Sequence, residues 1–195
     1  QISPSTWPID TGVRTPCSDG EDWANYSMPD PDAAFRYEGL KEVLRRSREN
    51  GMGVVGNVRG PYSCAWQLFG LEGFSILLYE EPETVEAVLT ATADFAIAAM
   101  RNMARLGVDA VLFSDDYGSS RQPLMSPGHF REFLVPQIRR IREACREAGC
   151  VMLQHSDGHI HQLLPDLMST GIQGLHPIER DAGMDLAEIK ATYGK

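Results

Sequence analysis

Residues 151–178, VMLQHSDGHIHQLLPDLMSTGIQGLHPI, change hydrophobic period twice. VMLQ is a short apolar run that suits a buried strand. HIHQLLPDLMSTG then carries its apolar residues at helical spacing up to a glycine stop, and IQGLHPI is extended again. A strand, a helix and a second strand joined this closely predict a βαβ unit with parallel strands.

The same alternation runs outward in both directions. Upstream, DAVLFSDD at 109–116 reads as a buried strand. Ser126-Pro127 then opens a helix, with a capping hydroxyl followed by proline at the first helical position. Phe130, Phe133, Leu134, Ile138, Ile141 and Cys145 carry its apolar face to Gly149, and Pro136 should bend or break it locally. Earlier still, a charged helix over 36–49 stops at Asn50-Gly51, and a strand follows in GVVGNV. Helical stretches near 64–78 and 83–106 come next, the second with Val85, Val88, Leu89, Ala93, Ile97, Met100 and Met103 at spacings of three and four. Downstream, MDLAEIKATYG reads as a last helix. The pattern predicts an α/β fold with a parallel sheet over 35–195, preceded by an irregular lead-in over 1–34 that carries Pro4, Pro8, Pro16, Pro29 and Pro31.

A chain of 195 residues that is 43% apolar and 23% charged suits one globular domain with a real core. Its net charge of -9 would repel nucleic acid and anionic membrane, so neither is an expected partner. No apolar run approaches 18 residues, which argues against a spanning segment. Cys17, Cys64, Cys145 and Cys150 form neither a CxxC pair nor a dense framework, which favours a reducing, cytoplasmic setting. Asn25-Tyr26-Ser27 matches a glycosylation sequon, a pattern common by chance. A start at Gln1 and an end in ATYGK, which reads as a helix leading into another strand, suggest a piece of a longer protein.

Chemistry-bearing residues gather where strands end. The four strands finish in Asn57 and Arg59, Asp115 and Asp116, His155 and Asp157, and His176 and Glu179. In parallel α/β folds these ends converge on the face where ligands bind. In the third strand, alternation puts Val151, Leu153, His155 and Asp157 on one side, so the last two can reach one ligand. The competing structural reading makes Ser156 or Asp157 a helix cap and leaves His155 bonded to nearby backbone. His159 and His161 fall in the first turn of the next helix and cannot both face the same point as His155, so one is read as half-exposed and the other as solvated. As a zinc site the segment supplies only two of the three expected protein ligands, and the third would come from Asp115, Asp116, His176 or a part of the protein outside this sequence. GMGVVG at 51–56 fits G-x-G-x-x-G but follows a helix, so Gly51 reads as a helix stop. Neither a GxSxG elbow nor a phosphate loop is present.

Taken together, DDYGSSRQPLMSPGHFREFLVPQIRRI, LQHSDGHIHQLLPDLMSTGIQGLHPIE and AGMDLAEIKATYGK resemble the uroporphyrinogen decarboxylase superfamily, in particular its methyltransferase-like branch. EDWANYSMPDPDAAFRYEGL and GNVRGPYSCAWQLFGLEGF add to the likeness, which covers most of the chain from about residue 20. The resemblance implies a (β/α)8 TIM barrel, here a partial barrel truncated at both ends, with its site at the C-terminal strand ends. It implies either a cofactor-free decarboxylase of porphyrin biosynthesis or a zinc-dependent methyltransferase that exchanges a methyl group between a corrinoid and a thiol. The arginine-rich segment and following aspartate of the decarboxylases are not found in residues 1–50. The methyltransferases use a His-x-Cys pair and a later cysteine as zinc ligands; His155 falls on that histidine, but Asp157 stands at the cysteine.

Three functions therefore stay open. The first is metal-assisted methyl transfer involving a corrinoid or a methoxylated substrate, with His155, Asp157 and Asp115 as the metal set and Asp116, His155 and Asp157 as catalytic residues. The second is decarboxylation of uroporphyrinogen or another carboxylated compound. The third is a non-catalytic protein binding a small acid or corrinoid through arginines such as Arg59 and Arg121. In each case Asn57, Arg59, Tyr117 and His176 are candidates to touch the small-molecule ligand, and a corrinoid protein is a candidate partner.

Overall fold

The computed structural model describes residues 15–194. Four strands, β1 (Val55–Arg59), β2 (Ala110–Ser114), β3 (Val151–His155) and β4 (Gly174–His176), form one parallel sheet in sequence order. Each crossover is helical. The connection from β1 to β2 holds α3 (Pro61–Phe69), α4 (Leu71–Glu80) and α5 (Pro82–Leu106), after α1 (Gly20–Asn25) and α2 (Leu40–Glu49). Between β2 and β3 run α6 (Pro127–His129) and α7 (Val135–Glu147); α8 (Leu164–Ser169) precedes β4, and α9 (Leu186–Tyr193) ends the described chain.

Period-two burial shows how the sheet is used. Val58, Val111, Phe113, Met152 and Gln154 are buried beneath the helices. The alternate residues face the other way, where Val55 is 55% and Val151 39% exposed. Fully buried side chains of α5, among them Val85, Val88, Leu89, Ala93 and Met100, pack into the covered layer. Gly56 permits this close approach, since a Cβ there would lie 2.7 Å from the Met103 sulfur. Among the described residues, one face of the sheet is thus a helix-backed core and the other is open.

Several boundaries differ from the sequence expectation, each for a local reason. The first strand starts at Val55 because the backbone N–H of Val54 donates to the Asp109 carboxylate at 2.7 Å. The single helix expected near 64–78 is two, broken at Gly70 with φ +77. α1 interrupts the segment expected to be irregular, capped by the Asp19 side chain, which accepts from the Asp22 N–H at 2.9 Å; residues 1–14 of that segment lie outside those described. The helix expected from His159 is a 3-10 turn over His161–Leu163 followed by α8, and the His159 N–H goes instead to the Ser119 carbonyl at 2.7 Å. Pro136 acts as expected: the turn before it, Phe130–Leu134, widens to π geometry, which relieves the clash of its ring with the preceding turn.

Candidate active site at the strand ends

Sheet register sets the site. Arg59, Ser114, His155 and His176 pair across the four strands as one row on the open face. Asp116 and Asp157 lie two residues beyond Ser114 and His155, and both carboxylates come to the His155 ring. His155 Nε2 lies 3.2 Å from Asp116 Oδ1 and 3.6 Å from Asp157 Oδ2. One ligand-type atom from each of the three can be chosen within 4.8 Å of the other two. The Asp157 backbone N–H also donates to Asp116 Oδ1 at 3.0 Å.

On its other edge, His155 Nδ1 is 2.9 Å from His176 Nδ1, so one ring donates and the other accepts. The imidazole is therefore held from both sides. The hydrogen bond to Asp116, opposed in part by burial, raises the His155 pKa, and that bond likewise holds the Asp116 carboxyl below the usual carboxylate range. Both shifts describe one ion pair at the rim, with the His155 side chain 19% and Asp116 43% exposed.

The structure does not bring Asp115 to this cluster, and here the expected ligand set needs correction. Alternation along β2 turns Leu112, Ser114 and Asp116 to the open face and Val111, Phe113 and Asp115 to the helices. Asp115 is fully buried and accepts from the N–H groups of Tyr62 and Ser63, at 3.2 and 2.5 Å, and from the Tyr117 hydroxyl at 3.0 Å. Its carboxylate is engaged by these donors on the helix side of the sheet and lies outside the three-residue cluster at the rim. Tyr117 is displaced from the substrate side for the same reason: it is fully buried and its hydroxyl is spent on Asp115. Applying alternation to β2 as well as β3 selects Asp116 from sequence.

Asn57, Arg59 and His176 do lie on the open face. Asn57 Oδ1 accepts from the Ser114 hydroxyl at 2.9 Å. The positive charge of Arg59 helps hold Asp116 ionised. His159 is half-buried with Nδ1 2.8 Å from the Ala182 carbonyl, and His161 stands 3.6 Å from Glu188, so neither joins the cluster. A residue outside the candidate set also contributes: Glu179 accepts from the Gly158 N–H at 2.6 Å and braces the turn after Asp157. Its signal in the sequence was its place at the end of the fourth strand.

The loops after β2 and β3 meet through glycines. Gly158 has φ +81, and a Cβ on it would fall 2.4 Å from the carbonyl carbon of Gly118. A Cβ on Gly118 would in turn lie 2.9 Å from the Asp157 carbonyl oxygen. Only bare backbone fits at this crossing.

A sequence profile of the Uroporphyrinogen decarboxylase (URO-D) family matches residues 11–195. The chain belongs to this family. A uroporphyrinogen decarboxylase of Dechloromonas aromatica is 30% identical over 131 residues, which are 62% of this chain and 36% of that protein. The methylcobamide:CoM methyltransferase MtbA of Methanosarcina mazei is 27% identical over 157 residues, 80% of this chain and 44% of that protein. Among solved structures, a methyltransferase from Methanosarcina mazei superposes with a TM-score of 0.62 at 24% identity, over 72% of this chain and 41% of that one. This URO-D chain thus spans less than half the length of these relatives, and its four-stranded sheet is part of the family's TIM barrel, with the open face as the barrel interior. None of its described helices is long and apolar enough to cross a membrane.

Proposed function

We propose that this chain carries the cation-binding part of a methyl-transfer centre. In this reading Asp116, His155 and Asp157 hold one divalent cation, zinc by preference, and a methoxylated small molecule exchanges its methyl group with a corrinoid presented by a partner protein. The observation that carries it is the convergence of three ligand-type atoms within 4.8 Å at the strand-end rim. The likeness to a protein named for methylcobamide chemistry supports the reaction class.

The residues fit such an ion. One imidazole and two carboxylates are donors that zinc accepts, and three protein ligands leave a position for substrate. This set is harder than the thiolate set of the resembling methyltransferases, because Asp157 replaces a cysteine, so it favours an oxygen-bearing substrate over a thiol. A bound cation would supply Lewis acidity toward the atom that carries the methyl group. For Nε2 to serve as a ligand, the His155 proton must sit on Nδ1, where it donates to His176 Nδ1 and fixes the ring. Asp157 braces Asp116 through its backbone N–H while offering its own carboxylate. Arg59, in the same row, supplies positive charge for an anionic part of the substrate.

Metal analysis of the purified protein tests this. It is expected to give about one divalent cation per chain, falling to trace levels in His155→Ala, Asp157→Ala and Asp116→Ala. Equal trace metal in wild type and variants would sink the proposal, and carbon dioxide release from uroporphyrinogen would replace it with the decarboxylase reading.

A further inference from the structure

We infer that Asp115 and Ser63 are positioning residues for the Asp116–His155–Asp157 centre, setting where Asp116 stands without touching its ligand. The inference rests on the reading of that centre as a cation site. Its basis is a buried polar lattice that joins three strand ends. The Asp115 carboxylate accepts from the N–H groups of Tyr62 and Ser63 in the first turn of α3, which ties the segment after β1 to the end of β2. The Ser63 hydroxyl then accepts from the Asp116 backbone N–H at 3.2 Å. On the far side, the Tyr117 N–H donates to the Ser156 hydroxyl at 2.9 Å, and the Tyr117 hydroxyl returns to Asp115 at 3.0 Å. Asp116 is therefore held by its own N–H, by the next residue's N–H, and through its carboxylate by Asp157.

The chemistry of Asp115 argues that the lattice does more than cap a helix. A serine or threonine could cap α3 without burying a carboxyl group. Here a carboxylate is fully buried with three donors around it, and Gly60 is needed beside it, since a Cβ there would lie 2.4 Å from the Asp115 carboxyl carbon. A carboxylate has lone pairs enough for both α3 N–H groups and the Tyr117 hydroxyl at once, whereas a hydroxyl oxygen offers two. The result is a rigid support behind a rim residue, as ligand-holding carboxylates require.

The test measures zinc affinity by competition with a chromophoric chelator for wild type, Ser63→Ala, Ser63→Thr and Asp115→Asn. In parallel, the His155 ring N–H facing Asp116 is followed in nitrogen-15 spectra of metal-free protein. Ser63→Ala and Asp115→Asn are expected to weaken zinc binding by about 10- to 100-fold. They should also lose or shift the His155 signal, with melting and far-ultraviolet dichroism showing a folded chain. Ser63→Thr, which keeps the hydroxyl acceptor, should restore both. Wild-type affinity and an unchanged His155 signal in folded Ser63→Ala and Asp115→Asn would overturn the inference. If Asp115→Asn does not fold, Ser63→Ala against Ser63→Thr decides alone. If wild type itself binds no zinc, the cation reading fails separately, and the metal-free His155 signal still decides: a change in the variants supports positioning, and no change rejects it.

Discussion

At the scale of single residues, Asp115 and Asp116 show how one step along a strand separates a support from a rim group. Burial pushes the Asp115 carboxyl up to about 6 despite the hydrogen bonds it accepts from Ser63, Tyr117 and Tyr62. An unfolded chain holds that proton only to about pH 3.9. Between these values the native state binds more protons than the unfolded state, so this group's contribution to stability is complete at low pH and is lost as pH rises through about 6. The loss amounts to at most about 3 kcal/mol. Urea unfolding from pH 4 to pH 7 should show this decline in wild type, and Asp115→Asn should flatten it; parallel curves would refute the assignment. The pairing of His155 with Asp157 was legible because strand alternation is local. The His155–His176 contact was not, because it depends on register between β3 and β4, which no local pattern reveals.

Among elements, α5 buries more residues than any other described helix. Proline at its first turn and Gly107 at its end, with φ +103, mark its limits, and its apolar residues at spacings of three and four made it readable in the sequence. Leu89 is fully buried in its apolar stripe. Leu89→Ala should lower unfolding free energy by about 2–5 kcal/mol, read from the urea midpoint at constant slope, and a loss below about 1 kcal/mol would show that the α5 contact is loose. Less legible were elements whose ends are set by distant partners. Asp109 takes the Val54 N–H from the strand ladder, and Ser119 takes the His159 N–H from the helix that its spacing suggested. Propensity and period carry no information about such long-range bonds.

For the molecule as a whole, the parallel sheet followed from the repeated strand-helix rhythm, because a parallel pair needs a crossover, while the strand order did not, because the same rhythm also builds sheets of other orders. What the rhythm could not reveal is that the described residues cover only one face. Parallel sheets are normally buried on both faces. Here Val55 and Val151 are exposed, and Leu112 and Leu153 are only partly buried. A chain of these 195 residues should therefore bind an apolar dye such as anilinonaphthalene sulfonate while keeping cooperative unfolding, and Val55→Thr with Val151→Thr should reduce the dye signal. No dye binding would mean that the face is covered in solution. The glycine crossing of Gly118 and Gly158 adds a constraint on the spacing of the two carboxylates. A Cβ at either position would meet the backbone of the other loop, and Gly158 also holds a positive φ. The loop after Asp116 and the loop after Asp157 can therefore lie this close only while both positions stay glycine, and alanine at either should push the two rim groups apart.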